Sequence, residues 1–319
     1  MYHRVIDLPY DPWKLCVSGK HFEEHMLIIK KYAAAVQIGE LADSLPSFSL
    51  GRKKIAVTFD DGYADNYYNA APILKRHAVS ATFYITTGAT DSQQEFWWDE
   101  ISRLILEPAS LPATFQLTTG QTHYTWAIDS TKATIMTKND PIPEQIPPNN
   151  SILSKTQLYF AVWRIISSLS TTEKSETLKK VALWSGSKPE ARDNYRAMTT
   201  KELTDLSSSY LFEIGAHTVR HPMLAQLNFS EQKEEIVESK NFLEKMYKKK
   251  IISFAYPHGS YNENTLKLMK ETGFKNACTT EERPVTRKTD PYRLPRFMVL
   301  DWTGKEFEQK LQYWINSDE

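Results

Sequence analysis

The sequence predicts an α/β fold with a parallel sheet, and three observations predict it. Short apolar runs alternate with amphipathic helical stretches on both sides of a long central region. Lys53–Thr58, Asn66–His77 and Ala81–Thr86 read as strand, helix and strand within about 35 residues, the spacing of a βαβ unit. The same alternation resumes at Leu211–Ala216 and Ile251–Tyr256. A β/α barrel and an open doubly wound sheet both fit this order. Both gather functional residues at the C-terminal ends of strands.

The elements follow in order. Residues 21–45 read as one amphipathic helix, with Phe22, Met26, Ile29, Tyr32, Ala33 and Val36 at helical spacing. Lys53–Thr58 is a short buried strand. In the Asn66–His77 helix, Pro72 falls in the first turn or makes a kink. Ala81–Thr86 is a strand ended by Gly88. The stretch 91–200 carries no chemical motif and reads as a large, mainly helical insertion with a small hairpin, inside one domain spanning 1–319. It holds Trp97, Trp98 and Trp163, and a polar, proline-rich surface loop at Lys138–Asn150. After the 211–216 strand, Ser230 is the expected N-cap of a helix with Ile236, Leu243 and Tyr247 on one face. Pro257 stops the 251–256 strand, and a helix from Asn262 ends at Gly273.

Composition narrows the function. Lys+Arg and Asp+Glu both number 39 in 319 residues, so no basic stripe points to nucleic acid or to an anionic membrane surface. Cys16 and Cys278 form neither a disulfide framework nor a metal-type spacing and read as buried thiols. No run approaches the ~18 apolar residues needed to span a bilayer, and no apolar leader is evident. The expectation is a soluble protein, cytoplasmic and at most membrane-proximal.

Two stretches carry chemistry. Thr58-Phe59-Asp60-Asp61-Gly62 places adjacent carboxylates at a strand end. Neighbouring side chains on a strand point in different directions, so there they can converge on a crevice from different angles. One could bind a metal and the other move a proton. The second stretch, His217-Thr218-Val219-Arg220-His221, directly follows the 211–216 strand. Two imidazoles and one carboxylate suit Zn²⁺ and related divalent ions, with positions left for water and substrate. The plainer alternative is a pair of unrelated surface histidines.

With Phe254-Ala255-Tyr256-Pro257-His258-Gly259 added, these stretches resemble the first three motifs of the NodB-like polysaccharide deacetylases, in the family's order. The resemblance covers about 1–90 and 200–300. It implies a distorted, incomplete (β/α) barrel and metal-dependent removal of an acetyl group from an N-acetylated sugar, polymeric or lipid-linked. It makes Asp61, His217 and His221 the metal ligands and Asp60 the base that activates the attacking water. The metal would be zinc first, with cobalt, nickel or manganese as alternatives. The third motif implies that Tyr256, Pro257 and His258 face the substrate, a backbone N–H near Tyr256 or His258 meeting the oxyanion.

Two positions depart from the family pattern. Many relatives carry an arginine at the position of Ala255 to hold the base, and Arg296 is the expected replacement. Relatives draw a histidine acid from a C-terminal motif, yet no histidine follows His258. Tyr2-His3-Arg4-Val5 resembles the N-terminal placement found in some poly-N-acetylglucosamine deacetylases, so His3 is the candidate acid, with His258 second. Trp97 and Trp98 read as core more readily than as a sugar platform. Two rivals share these residues: a deformylase or cyclic-amide hydrolase on the same scaffold, and a carbohydrate-binding protein with a degenerate site. Oligomeric state stays open.

Overall fold

The computed structural model describes residues 1–45, 53–129, 142–143, 145–188 and 190–316. The first part of the chain forms β1 (Arg4–Val5), β2 (Cys16–Val17), α1 (Gly19–Tyr32), β3 (Ala34–Val36), α2 (Ile38–Ser44), β4 (Lys54–Phe59), α3 (Ala71–Arg76) and β5 (Ala81–Ile85). The middle forms α4 (Trp97–Ile105), β6 (Thr114–Thr119), β7 (Thr122–Ile128), β8 (Ile152–Leu153), α5 (Lys155–Ser167) and α6 (Thr171–Ser185). The remainder forms α7 (Thr200–Ser207), β9 (Phe212–Ala216), α8 (Phe229–Tyr247), β10 (Ser253–Ala255), α9 (Glu263–Glu271), β11 (Asn276–Cys278) and α10 (Gly304–Asn316). Two compact units result: residues 1–7, 15–93 and 196–319, and residues 8–14 with 94–195.

The first unit is built on a six-stranded sheet, β11-β10-β9-β5-β4-β3, in which every pairing is parallel. Every residue of β5 is buried. That is expected of a parallel strand buried on both faces, one under helices and the other in the interior of the curled sheet. Register puts Phe59 beside Phe83, and their rings stack at 4.8 Å. The sheet is curled, and irregular backbone bridges its edges. Tyr2 pairs with Phe59 beyond the end of β3, and Leu294 pairs with Cys278 at the far edge. Between them, Val299 N donates to Met1 O (3.0 Å) and Met1 N to Phe297 O (2.8 Å). The result is a distorted, incomplete (β/α) barrel, and the open-sheet alternative is excluded.

Several boundaries differ from the sequence reading. The single helix expected at 21–45 is α1, β3 and α2. Ala33 leaves the helical region at φ −147°, and Ala34–Val36 pairs with Lys54–Ala56. Apolar residues at 33 and 36 satisfy a short edge strand as well as a helix face, and sheet pairing decides. The cap of α8 is Asn228, paired with Glu231 in a capping box, so the helix starts ahead of Ser230. A π-helical turn, Asn66–Ala70, precedes α3, with Pro72 in the first turn of α3. Gly273 follows α9 at φ 77°, as expected of a residue just past a helix end.

In the second unit, β6 and β7 form an antiparallel hairpin turning at Gly120, and β8 runs parallel to β7. Helices α5 and α6 begin with Ser154–Gln157 and Ser170–Glu173 capping boxes. Glu95, its side chain 2% exposed, receives the Arg192 guanidinium at 2.9 Å. Trp98 is buried and stacks on Phe96 at 4.6 Å, the core role. Of the Lys138–Asn150 stretch, 138–141 and 144 lie outside the described residues. In the remainder, Pro147 and Pro148 carbonyls accept from Trp126 Nε1.

Candidate metal and catalytic site

The carboxylate pair sits where β4 breaks. Asp60 N donates to Tyr2 O (3.0 Å), which ends the strand. Asp61 (φ 71°) and Gly62 (φ 84°) are both left-handed. The left-handed conformation at Gly62 favours glycine, and a Cβ there would crowd Ile85 Cδ1 at 3.2 Å. The turn is pinned by Thr86 N on Asp61 O (3.2 Å) and Met198 N on Gly62 O (2.9 Å). Asp60 and Asp61 are both buried.

The histidine turn leaves β9 beside it. Thr218 (φ 65°) and His221 (φ 58°) are left-handed. Thr87 N donates to Thr218 O and Gly88 N to Val219 O. A Cβ on Gly88 would come within 2.6 Å of Val219 O, so this close approach excludes any side chain. On the other side, buried Glu235 of α8 accepts from Val219 N (2.8 Å) and Arg220 N (2.9 Å) through Oε2, and from Arg220 Nε (2.6 Å) through Oε1.

The two turns bring Asp61, His217 and His221 together. One ligand atom from each lies within 4.8 Å of the others, and all three residues are buried. His217 Nδ1 is 2.7 Å from Ala255 O and must donate there, which leaves a lone pair on Nε2. That lone pair faces Asp61 Oδ1 at 3.5 Å, and His221 Nε2 faces it at 3.3 Å. Asp61 Oδ1 is buried and has no hydrogen-bond partner among the described residues. Electron-rich atoms turned toward one another are stabilised by a cation between them, so the residues fit a divalent ion. Burial alone would raise the pKa of Asp61. The two imidazoles outweigh it and hold the carboxyl well below its usual range. His221 goes the other way, its pKa lowered by burial against the pull of Asp61.

Asp60 has a different partner. Arg296 donates through Nη1 to Oδ1 (2.7 Å) and through Nη2 to Oδ2 (2.8 Å), the two-pronged geometry of a strong charge-assisted pair. Arg296 is itself fixed by Thr279 O (3.0 Å) and Thr58 Oγ1 (3.2 Å). Burial would raise the pKa of Asp60, but Arg296 and His217 lower it below the usual value. Ala255 is fully buried, and its carbonyl serves His217.

His3 is near this group. Burial lowers its pKa, and the charges of Asp61 and Asp60 pull the other way. Its Nδ1 is buried and makes no hydrogen bond to a described residue. His258 (φ 56°) is exposed, with its ring 4.5 Å from that of His221. Pro257 is buried behind it. Tyr256 is a correction: its N–H is taken by Cys278 O (3.1 Å) and its hydroxyl by Tyr292 O (2.9 Å), and the whole side chain is buried. It has no free donor for an oxyanion or a substrate.

Sequence reasoning missed Glu235, and also Asp65, Asn66 and Asn69, which grip the segment carrying His3. A signal existed for the first. Gln232, Glu235 and Ser239 lie on the buried stripe of α8 with Ile236 and Leu243, and polar residues on a core-facing stripe need partners.

The profile of the family described as Polysaccharide deacetylase matches residues 49–112 and 151–277, more than half of the chain. The chain belongs to the polysaccharide deacetylase family. The matched segments contain Asp60, Asp61, His217, His221 and Tyr256–His258, while His3 and Arg296 lie outside them. A poly-β-1,6-N-acetyl-D-glucosamine N-deacetylase of Staphylococcus epidermidis is 29% identical over 134 residues, 40% of this chain and 45% of that protein. The chain thus aligns with under half the length of such deacetylase relatives. Among solved structures, the Streptococcus pyogenes deacetylase PplD, in complex with acetate, matches with a TM-score of 0.59 and 18% identity over 97% of this chain and 95% of that one. IcaB from Ammonifex degensii matches with a TM-score of 0.58 and 17% identity over 98% and 94%. At such identity the likeness bears on the fold, the deacetylase barrel. Among the described residues no helix is long and apolar enough to cross a membrane.

Proposed function

We propose that this protein is a metal-dependent hydrolase that removes the acetyl group from an N-acetylated sugar of a glycan. One observation carries the reading: a buried Asp61–His217–His221 cluster lies beside an aspartate, Asp60, clamped by Arg296 at the strand ends of a deacetylase barrel. Asp61, His217 and His221 would hold the ion, zinc being our first choice. When bound, a divalent ion polarises the amide carbonyl and makes water more acidic.

The chain's own residues do the rest. Asp60, kept ionised by Arg296, takes a proton from the water that adds to the acetyl carbonyl. The C–N bond then breaks with its electron pair going to nitrogen, and His3 supplies the proton that nitrogen takes. Acetate and a free amino sugar leave. A lowered pKa makes a protonated His3 a stronger acid and reduces its protonated fraction at neutral pH. His258, exposed beside His221, is placed to meet the substrate.

The likeness to poly-β-1,6-N-acetyl-D-glucosamine deacetylases favours a polymeric N-acetylglucosamine substrate, and the N-terminal position of His3 fits the subgroup with its histidine motif there. Acetate release tests this, from β-1,6-linked N-acetylglucosamine oligomers, chitooligosaccharides and N-formyl sugars, with and without added metal. Release from the acetylated oligomers that stops with a chelator is expected. Turnover of formyl sugars alone would overturn it. We also place the protein in the cytoplasm, and its recovery mainly from the medium or envelope would refute that.

A further inference from the structure

We propose that Asp65, Asn66 and Asn69 are positioning residues that aim His3 at the leaving nitrogen, an inference that rests on the role given to His3 above. Among the described residues the ring of His3 has no hydrogen-bond partner at Nδ1, while the backbone around it is held at several points. That backbone is gripped from both sides. On one side it joins β4: Tyr2 N donates to Thr58 O (2.8 Å) and Asp60 N to Tyr2 O (3.0 Å). On the other, Asn66 Nδ2 donates to His3 O (2.8 Å) and Asn69 Nδ2 to Val5 O (2.7 Å). Asp65 accepts from Val5 N (2.8 Å) at Oδ1 and from Arg4 Nε (2.9 Å) at Oδ2, and the Arg4 guanidinium lies 4.1 Å from the Tyr63 ring centre.

Three features of this clamp favour function over packing alone. It acts on three consecutive peptides of one short segment, through His3 O, Val5 N and Val5 O. Its central members, Asp65 and Asn66, are buried polar groups, 6% and 0% exposed. They begin the helix that follows the Asp61–Gly62 turn, so one continuous stretch of chain carries a ligand of the ion cluster and the grip on the proton donor. The π-helical turn Asn66–Ala70 presents Asn66 and Asn69 together to the 3–5 segment. The π turn sits between helical residues 64–65 and α3, and single π turns within helices are frequent at functional sites.

Protonation of the leaving group separates this role from a merely structural one. An amine leaves only with a proton, whereas 4-nitrophenolate leaves without one. The metal-loaded full chain would be assayed on an N-acetylglucosamine oligomer and on 4-nitrophenyl acetate, as wild type, His3→Ala, Asn66→Ala and Asn69→Ala. His3→Ala and Asn66→Ala are expected to lower kcat on the oligomer by roughly 100-fold, with KM and ester hydrolysis changed less than about threefold. A variant combining His3→Ala and Asn66→Ala should lose no more than His3→Ala alone, because both changes remove one function. Exposed Asn69 tolerates truncation, and Asn69→Ala should show the same selectivity at roughly threefold, so it carries the test if Asn66→Ala folds or loads metal poorly. Equal losses on both substrates, or full oligomer activity in both asparagine variants beside a crippled His3→Ala, would overturn the clamp. Full oligomer activity in His3→Ala would instead overturn the role of His3, and a wild type inert on both substrates the deacetylase reading itself.

Discussion

Asp60 and Asp61 are adjacent in the chain, yet one faces an arginine and the other faces two histidines. Their functions should therefore separate. Asp60→Asn is expected to keep bound metal and lose roughly 100- to 10,000-fold in kcat, as when a general base is removed. His221→Ala should lose the metal itself, read by metal analysis after dialysis. Arg296→Met leaves a buried carboxylate without its counter-charge, a loss of about 3–5 kcal/mol. It also removes a cause that lowers the pKa of Asp60. A base works only when ionised, so the acid limb of kcat/KM should move to higher pH in that variant, and an unmoved limb would refute the pairing. Adjacent motif residues such as these are legible because strand-end geometry and ligand chemistry act within a few positions. Arg296 was reached only through the resemblance, since 236 residues separate it from its partner. Nothing local marks Asn66 as the partner of His3 O, because the contact spans 63 residues.

At the scale of elements, α8 does more than cover the sheet. Glu235 caps two successive amides of the turn that bears His217 and His221. Groups that orient a ligand set typically change metal affinity 10- to 100-fold when removed. Glu235→Ala should weaken cobalt binding by about that range, followed by absorption titration, with a smaller effect for Glu235→Gln, which can still accept from the amides. Unchanged affinity in a folded variant would show that the turn needs no such support. The parallel strands β4, β5 and β9 were legible as apolar runs ended by turn residues. The strand β3 was not, because Ala34-Ala35-Val36 has no pattern of its own and becomes a strand only by pairing with β4. The cap of α8 was misplaced because Asn228 and Ser230 are both good capping residues, and only Asn228 has a glutamate three positions on.

For the whole molecule, stability should depend on His25. It is fully buried, stacks on Phe307 at 4.1 Å, receives the Tyr2 hydroxyl at Nδ1 (3.2 Å) and donates from Nε2 to Trp302 O (2.7 Å). Burial pushes its pKa down to about 4. A depressed pKa means that the folded state prefers the neutral ring. This contribution is complete above the unfolded value near 6.5 and is lost as pH falls from there to about 4, on the order of 3 kcal/mol in all. Urea unfolding at pH 7.5 and pH 4.5 should show that loss, and His25→Gln should flatten it. We read the second unit, 94–195 with 8–14, as an insertion in a single deacetylase domain. Replacing 94–195 by a short linker should leave a foldable barrel, and failure of the remainder to fold would count against that reading.

The irregular segment that bridges the sheet edges has a consequence for order in time. Residues 294–299 supply Arg296 and the backbone that meets Met1, so they reach the ribosome exit after every other part of the site. A nascent chain arrested near residue 290 already holds Asp61, His217 and His221 but not the partner of Asp60. Capacity to bind metal should therefore precede catalytic competence during synthesis, and a long-range closure of this kind is slow to form. Arrested chains of increasing length should take up metal before they release acetate, and simultaneous onset would show that the cluster too waits for closure of the ring.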